Sequence, residues 1–240
     1  MRLLLSVLAT AALLSPAVAC ADPNVDSVAV VKLTAPQATS ALGESLTPGT
    51  VIFSKGACLY VTAYTGSDIT HVGIVADDEN GQPVVFDSMK GSGVRSSSVA
   101  AYLEEMKDAE LLIYRPVEPL AKPDRDRLRL ALSDDLGRPY DVAHYLTGRP
   151  SEGLHCSEYV TETLSEVGYL RSGRPSDVAP GQLADGISMM RRWGDVERIQ
   201  LIEPDPVKPT GLSCCESFWW DTKECVSETG DWFSGVFFCR

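Results

Sequence analysis

The feature that most constrains this chain is a cysteine at the predicted start of an amphipathic helix. After Cys156 the apolar residues Val160, Leu164 and Val167 recur at helical spacing. Gly168 is a typical residue for the end of that helix. A thiol at a helix N-terminus faces unpaired backbone N–H groups and the positive end of the helix dipole, and both favour the thiolate. The pattern is therefore compatible with a cysteine nucleophile.

The opposite face of the same helix carries glutamates, and we predict that it is exposed to solvent. These residues are Glu158, Glu162 and Glu166. A free cysteine in a core is usually only a small buried hydrophobe. Cys156 therefore gains a catalytic interpretation only if a histidine lies within reach of it.

Three histidines are available, and the sequence favours one of them as the catalytic base. His155 is adjacent to Cys156, but neighbours at a helix start point their side chains apart. His144 lies in a connection punctuated by glycine and proline. We interpret both as structural or solvated. His71 lies on the predicted strand 70–75 beside Gly73, where a backbone or a ligand can approach closely.

Asp87, on the returning strand 84–87, is the candidate group to orient His71. If the turn spans Asp77 to Gly81, with those residues opposed, His71 faces Asp87 on one side of the hairpin. A two-residue turn at Asn80 and Gly81 would instead oppose His71 to Lys90. The sequence leaves both registers open, and Asp87 could also be a solvated acid at a strand end.

Three motifs in order carry a resemblance to a known family: 70–75 (THVGIV), 137–141 (GRPYD) and 156–160 (CSEYV). With 48–53 and 179–184 they resemble the permuted NlpC/P60 papain-like family of the YaeF/YiiX type. The resemblance spans residues 44–203. It implies an α+β fold, with an antiparallel sheet or barrel packed against helices and the histidine strand preceding the cysteine helix.

The resemblance also implies roles for individual residues. Cys156 would be the nucleophile and His71 the base. Asp87 stands where the family usually has a glutamate. Tyr140 matches a tyrosine that helps bind substrate in relatives, although a core tyrosine with a satisfied hydroxyl is the alternative. Neither a cofactor nor a metal is expected.

The first residues predict export. Residues 1–19 have Arg2, then an apolar run, then small residues, which is typical of a signal peptide. Cleavage after Ala19 or after Ala21 fits equally well. A lipoprotein signal is the alternative, with Cys20 acylated and the chain attached to a membrane. We expect a bacterial periplasmic or cell-envelope location, lipid-anchored or otherwise secreted.

The formal net charge of −12 argues against nucleic acid as a partner. A neutral or cationic substrate is easier to accommodate. The oligomeric state is left open.

Residues 204–240 form a cysteine-rich tail with Cys214, Cys215, Cys225 and Cys239. In an exported chain this composition predicts a disulfide-stapled appendage, with metal binding as the alternative. Adjacent cysteines bridge each other only with strain. We therefore predict two tail disulfides that separate Cys214 from Cys215, and a free, buried Cys58.

Two further segments are predicted to lack helices and strands. Residues 22–45 are predicted to be an extended lead-in, and residues 88–98 a loop because they are rich in glycine and serine. Helices are predicted near 56–66, 99–106, 123–135, 142–146 and within 177–203, and strands at 51–53, 110–115 and 197–202.

These observations favour a cysteine amidase or peptidase, and the resemblance to the family implies cell-wall peptide amides as the substrate. An acyltransferase or hydrolase acting on lipid-like esters or amides is the first alternative. A non-catalytic envelope binding protein is the second.

Overall fold

A computed structural model describes residues 29–43, 45–56, 59–204, 210–211, 213 and 216. The predictions on the signal peptide, on Cys20, on Cys58 and on the tail cysteines lie outside the described residues. No described helix is long and apolar enough to cross a membrane.

One seven-stranded sheet forms the centre of the fold, in the order β1-β7-β6-β2-β3-β4-β5. β1 pairs with β7 in parallel, and the other neighbours are antiparallel. The strands are β1 (Val31–Leu33), β2 (Val51–Lys55), β3 (Ile69–Asp77), β4 (Pro83–Met89), β5 (Gly93–Ser98), β6 (Glu110–Tyr114) and β7 (Glu197–Leu201).

Helices cover both faces of the sheet. They are α1 (Ala35–Leu42), α2 (Leu59–Thr65), α3 (Val99–Glu105), α4 (Lys122–Asp134), α5 (Ala143–Thr147), α6 (Cys156–Glu166) and α7 (Pro180–Ser188), with a 3₁₀ turn at Pro175–Asp177. In β2, Phe53 packs into the core formed with α4, α6 and α7. Its neighbour Ile52 packs into the core formed with α1 and α3. This alternation buries the sheet on both sides and confirms the predicted α+β class.

The folded unit begins before residue 44, so the prediction of an extended lead-in is wrong. Thr34 caps α1, since its hydroxyl accepts from the Gln37 N–H and the Gln37 side chain accepts from the Thr34 N–H. Ala38 and Leu42 of α1 are buried against the sheet. β1 is only three residues long and pairs with β7, near the other end of the domain, so no local pattern announces it.

The prediction of a loop over 88–98 is also wrong in its second half. Residues 93–98 form β5, which pairs along β4 from Met89↔Gly93 to Val84↔Ser98. Serine and arginine occupy most of this edge strand, and neither belongs to the β-branched and aromatic residues that favour strands. The pairing is decided by β4, whose own sequence is strongly strand-forming. This strand brings Arg95 directly opposite Asp87.

Candidate active site

Cys156 is the first residue of α6, and it is almost fully buried, with 3% of its surface exposed. The residue before it, His155, caps the helix: its Nδ1 accepts the backbone N–H of Glu158 at 3.3 Å. The spacing of apolar residues after Cys156 predicted this helix, and its position agrees with the prediction. The thiol therefore lies where backbone N–H groups and the helix dipole stabilise negative charge.

The segment that leads into α6 packs closely against the connection at 139–141 and is hydrogen-bonded to β4. A Cβ on Gly153 would meet the Pro139 carbonyl oxygen and the Asp141 Cβ, each at 2.6 Å. The Ser88 hydroxyl donates to the Leu154 carbonyl at 2.7 Å. Only glycine at position 153 permits the close approach to Pro139 and Asp141, and the Ser88 hydrogen bond holds the start of α6 beside β4.

The site opens where β3 and β4 separate. Their pairing ends at Gly73↔Asp87, whereas β3 continues along β2, with His71 opposite Ser54. β4 likewise continues along β5 to Met89. His71 therefore lies just beyond the last pair of the β3–β4 ladder, where its imidazole can meet Cys156 on one side and Asp87 on the other.

The contact between His71 and Asp87 is present, although the register that suggested it is wrong. Asp87 pairs with Gly73 and not with His71. Residues two apart in a strand share a face, so His71 still lies on the same side and reaches Asp87 diagonally. His71 Nε2 and Asp87 Oδ2 are 2.9 Å apart, and Asp87 is fully buried.

Gly73 is required at the position opposite Asp87. A Cβ there would come within 2.8 Å of a Val85 methyl group and 3.2 Å of the Tyr102 hydroxyl. The Tyr102 ring itself lies 6.4 Å from the His71 ring, centroid to centroid. Tyr102 thus fills the space above the glycine and packs beside the imidazole.

The charges at the site favour a thiolate paired with an imidazolium. Burial by itself raises the pKa of Cys156, but His155 and His71 outweigh it and lower that pKa to about 6. Burial by itself lowers the pKa of His71, but hydrogen bonds to Asp87 and Cys156 raise it to about 10. Between these values Cys156 is deprotonated and His71 is protonated.

His155 is less suited than His71 to take a proton from Cys156. Its Nδ1 accepts the Glu158 N–H, and its Nε2 lies 3.1 Å from the Ser176 carbonyl, to which it can only donate. Both ring nitrogens are therefore engaged by the backbone in the Nε2–H tautomer. The expectation that the side chains of His155 and Cys156 point apart is wrong, since His155 lies close enough to the thiol to help lower its pKa.

The prediction that Glu158 faces solvent is wrong. Glu158 is 1% exposed, and its Oε1 lies 2.8 Å from His144 Nδ1. Its other oxygen has no hydrogen-bond partner among the described residues and lies 3.6 Å from His155 Nε2. Helical periodicity cannot show that α5 and the connection around it fold over this face. Of the same row, Glu166 is exposed and Glu162 is partly buried.

A largely apolar groove leads to Cys156 between α2 and α5. Tyr140 lines it, which is compatible with the predicted role in substrate binding. Among the described residues that line the groove, none is Asp, Glu, Lys or Arg. The lining consists of Val61, Tyr64, Thr65, Thr70, Tyr140, Val142, Tyr145, Leu146, His155, Cys156, Ala179 and Pro180.

Arg95 and Glu105 are the residues at this site that the sequence did not indicate. Arg95 Nε donates to Asp87 Oδ1 at 2.9 Å, and Arg95 Nη2 donates to Glu105 at 2.5 Å. Arg95 belongs to β5, which is a strand through its pairing with β4, and Glu105 is the last residue of α3. An arginine within a predicted loop carries no signal for such a contact.

Comparison with protein-family models matches residues 45–183, more than half of the chain, to the permuted papain-like amidase enzymes of the YaeF/YiiX, C92 family. The chain belongs to this family. Its fold and its class as a papain-like cysteine amidase or peptidase follow, and the expected family is confirmed. The wider NlpC/P60 group is a looser relation.

Comparison with solved structures gives five matching chains. One is the crystal structure of the metalloprotein YiiX from Escherichia coli O157:H7, with a TM-score of 0.43 and 17% sequence identity. The match covers 66% of this chain and 89% of that one. No curated protein sequence matches this chain.

Proposed function

We propose that this protein is an exported cysteine amidase that cleaves peptide amides of the cell wall, with Cys156 as nucleophile, His71 as general base and Asp87 as the group that orients His71. The observation that carries the proposal is the placement of one imidazole between a buried carboxylate and a thiol at a helix N-terminus. That arrangement is how a cysteine nucleophile is activated and its proton is managed.

The reaction follows from these positions. The Cys156 thiolate attacks the carbonyl carbon, and backbone N–H groups at the start of α6 stabilise the oxyanion. The carbon–nitrogen bond then breaks, and the His71 imidazolium gives its proton to the leaving amine. Water attacks the resulting thioester while His71 takes a proton from it. The acid product leaves, and the thiolate and imidazolium are restored.

Support for export comes from the sequence, whereas the cell-wall substrate is inferred from the family resemblance. The signal-like residues 1–19 predict transport out of the cytoplasm, to the periplasm or envelope, with Cys20 as a candidate lipid anchor. Tyr140 beside Cys156 is the residue we assign to substrate binding. Membership in a family of papain-like amidases supports the cleavage of amide bonds in general.

Digestion of purified peptidoglycan followed by mass spectrometry of the soluble products tests this proposal. The wild-type protein should release peptide fragments, with one new amine and one new carboxyl group for each amide bond that is cleaved. The Cys156→Ala variant, incubated identically, should release none. Equal release by both proteins would remove Cys156 from the mechanism.

A second candidate function is hydrolysis or transfer of lipid-like acyl esters or amides. The observation that favours it is the lining of the groove, in which apolar and aromatic side chains predominate. A long acyl chain would be held there by burial of apolar surface. Cleavage of N-acyl amino acids at rates that rise with chain length, without release of peptidoglycan fragments, would select this candidate.

A non-catalytic envelope binding protein is the remaining alternative. It requires an unreactive Cys156. A thiol-directed alkylating agent that labels Cys156 selectively at neutral pH would argue against it, because an ordinary buried thiol stays protonated and inert under those conditions.

A further inference from the structure

The two oxygens of the Asp87 carboxylate are both engaged in hydrogen bonds, with Arg95 and His71 as the partners. Its Oδ1 accepts from Arg95 Nε at 2.9 Å. Its Oδ2 accepts from Arg95 Nη2 at 3.3 Å and lies 2.9 Å from His71 Nε2. The guanidinium therefore contacts both oxygens, which fixes the plane of the carboxylate and the direction of its bond to His71.

Arg95 is itself held from two sides. Strand pairing places it directly opposite Asp87. Its Nη2 also donates to Glu105, at the end of α3, at 2.5 Å. The sheet and a helix thus set its position independently of the nucleophile helix.

A fully buried carboxylate is costly unless it is paired and hydrogen-bonded. Burial by itself raises the pKa of Asp87, and His71 and Arg95 together outweigh burial and lower it. His71 changes charge during the proposed reaction, whereas an arginine does not. Arg95 is therefore the permanent positive charge beside Asp87.

We propose that Arg95 is a positioning residue that keeps Asp87 ionised and aimed at His71, and thereby sets the pH range in which Cys156 reacts. The inference rests on the roles proposed for Cys156 and His71. It assigns a function to a chain of contacts that runs from Cys156 through His71, Asp87 and Arg95 to Glu105 at the molecular surface.

The other charged or titratable groups around this chain are few among the described residues. Tyr102 of α3 packs beside His71 with its hydroxyl buried. His155 precedes the nucleophile, and Glu158 follows on α6, paired with His144. Within the described part of the chain, the ion pairs of Arg95 are those with Asp87 and Glu105, so its replacement leaves the other groups in place.

The test measures the rate at which iodoacetamide alkylates Cys156 from pH 4 to 9. Mass spectrometry of the Cys156 peptide is needed because the chain has seven cysteines. Only the thiolate reacts, so the midpoint of the profile reports its formation without any substrate. In Arg95→Gln the loss of a positive charge should move the midpoint up by about one pH unit.

Arg198→Gln is the matched control. Arg198 is a buried arginine whose Nε donates to Glu110 at 2.6 Å, between β6 and β7 and outside the site. This variant also loses an arginine–carboxylate ion pair, so it shows how far the midpoint moves when a structural contact outside the site is lost. We expect its midpoint to stay within about 0.2 pH units of the wild type, because screening weakens distant charges.

Glu105→Gln keeps the test decisive if Arg95→Gln does not fold, which circular dichroism would show. Glu105 is half-exposed, and removing its charge leaves more of the Arg95 charge acting on the site. The midpoint should therefore move down, by about 0.3 pH units after solvent screening. Arg95→Lys keeps the charge but loses the two-point contact with the carboxylate, so its midpoint should move up by less than that of Arg95→Gln.

The outcomes separate the inference from the proposed function. A wild-type midpoint near that of an ordinary cysteine would overturn both. A low wild-type midpoint that Arg95→Gln shifts no more than Arg198→Gln does would overturn the positioning role alone. If Arg95→Gln does not fold, an unchanged midpoint in Glu105→Gln does the same. An upward shift in Arg95→Gln that is absent in Arg198→Gln and smaller in Arg95→Lys supports the inference.

Discussion

At the scale of single residues, the site depends on side chains that are buried yet ionised. Asp87 is fully buried and Cys156 nearly so, and each carries a negative charge in the proposed reactive state. His71, placed between them, offsets both. A thiol beside one imidazole at a helix start is reactive only while these charges remain paired.

Replacing the members of this arrangement should have graded effects. Cys156→Ala and His71→Ala should each reduce amidase activity to background, because they remove the nucleophile or the base. The loss of kcat/KM in Asp87→Asn should be about 10- to 100-fold smaller than in either, since an orienting group contributes less than the nucleophile or the base. Circular dichroism must show each variant to be folded. Full activity in folded Cys156→Ala would refute the mechanism.

Gly73 offers a test of packing at the same scale. In Gly73→Ala the new Cβ would meet Val85 at 2.8 Å, so we expect a loss of about 1–3 kcal/mol from overpacking. A Cβ on Gly186, within α7, would meet no described atom within 4 Å beyond its own helix and chain neighbours. Gly186→Ala should therefore be neutral or stabilise by about 0.5–1 kcal/mol through helix propensity. Urea denaturation of both variants measures the difference, and equal stabilities would contradict the packing argument.

At the scale of elements, His155 can stabilise the start of α6 by capping the helix or by the packing of its imidazole, and separate variants distinguish the two. His155 caps the helix through its Nδ1. His155→Ala should cost about 0.5–2 kcal/mol of unfolding free energy, whereas His155→Asn should retain most of it because asparagine is a good N-cap. Thermal denaturation compares the two variants. An equal loss in both would show that the imidazole packing, and not the cap, stabilises the helix.

The elements nearest the chemistry were the most predictable from sequence. The apolar spacing after Cys156 and the β-branched residues around His71 reflect local physics, and both elements form where they were predicted. β5 and β1 were not predicted because each forms a strand only by pairing with a neighbour: β5 pairs with β4, and β1 pairs with β7. Arg95 was missed with β5, and it could not have been found without the register that sets it opposite Asp87.

The register itself shows the limit of local reasoning. The hairpin between β3 and β4 pairs Asp77 with Pro83, which neither turn considered from the sequence gives. Asp87 stayed on the correct face because the difference in register is even, and a strand alternates with a period of two. The prediction that Glu158 is exposed is wrong for a different reason: a helix face is exposed only if no other segment of the chain covers it.

At the scale of the whole molecule, we expect Cys156 to be reduced and the tail cysteines to be oxidised. Cys156 must stay reduced in order to react. We predict two disulfides among Cys214, Cys215, Cys225 and Cys239, each stabilising the tail by roughly 2–3 kcal/mol on a chain-entropy estimate. Peptide mapping under non-reducing conditions identifies the pairs. A bridge from Cys58 to any tail cysteine would contradict this pairing.

The central claim is that the fold holds Cys156 as a thiolate beside a protonated His71, and the pH dependence of Cys156 alkylation in the wild-type protein tests it most directly. The pKa of Cys156 is lowered to about 6, so the alkylation rate should be half-maximal near that pH and constant from about pH 7.5 to 9. His71→Ala should move the half-maximal point upward, toward the value of an ordinary cysteine. A wild-type rate that rises only above about pH 8, or a profile unchanged in folded His71→Ala, would contradict the account.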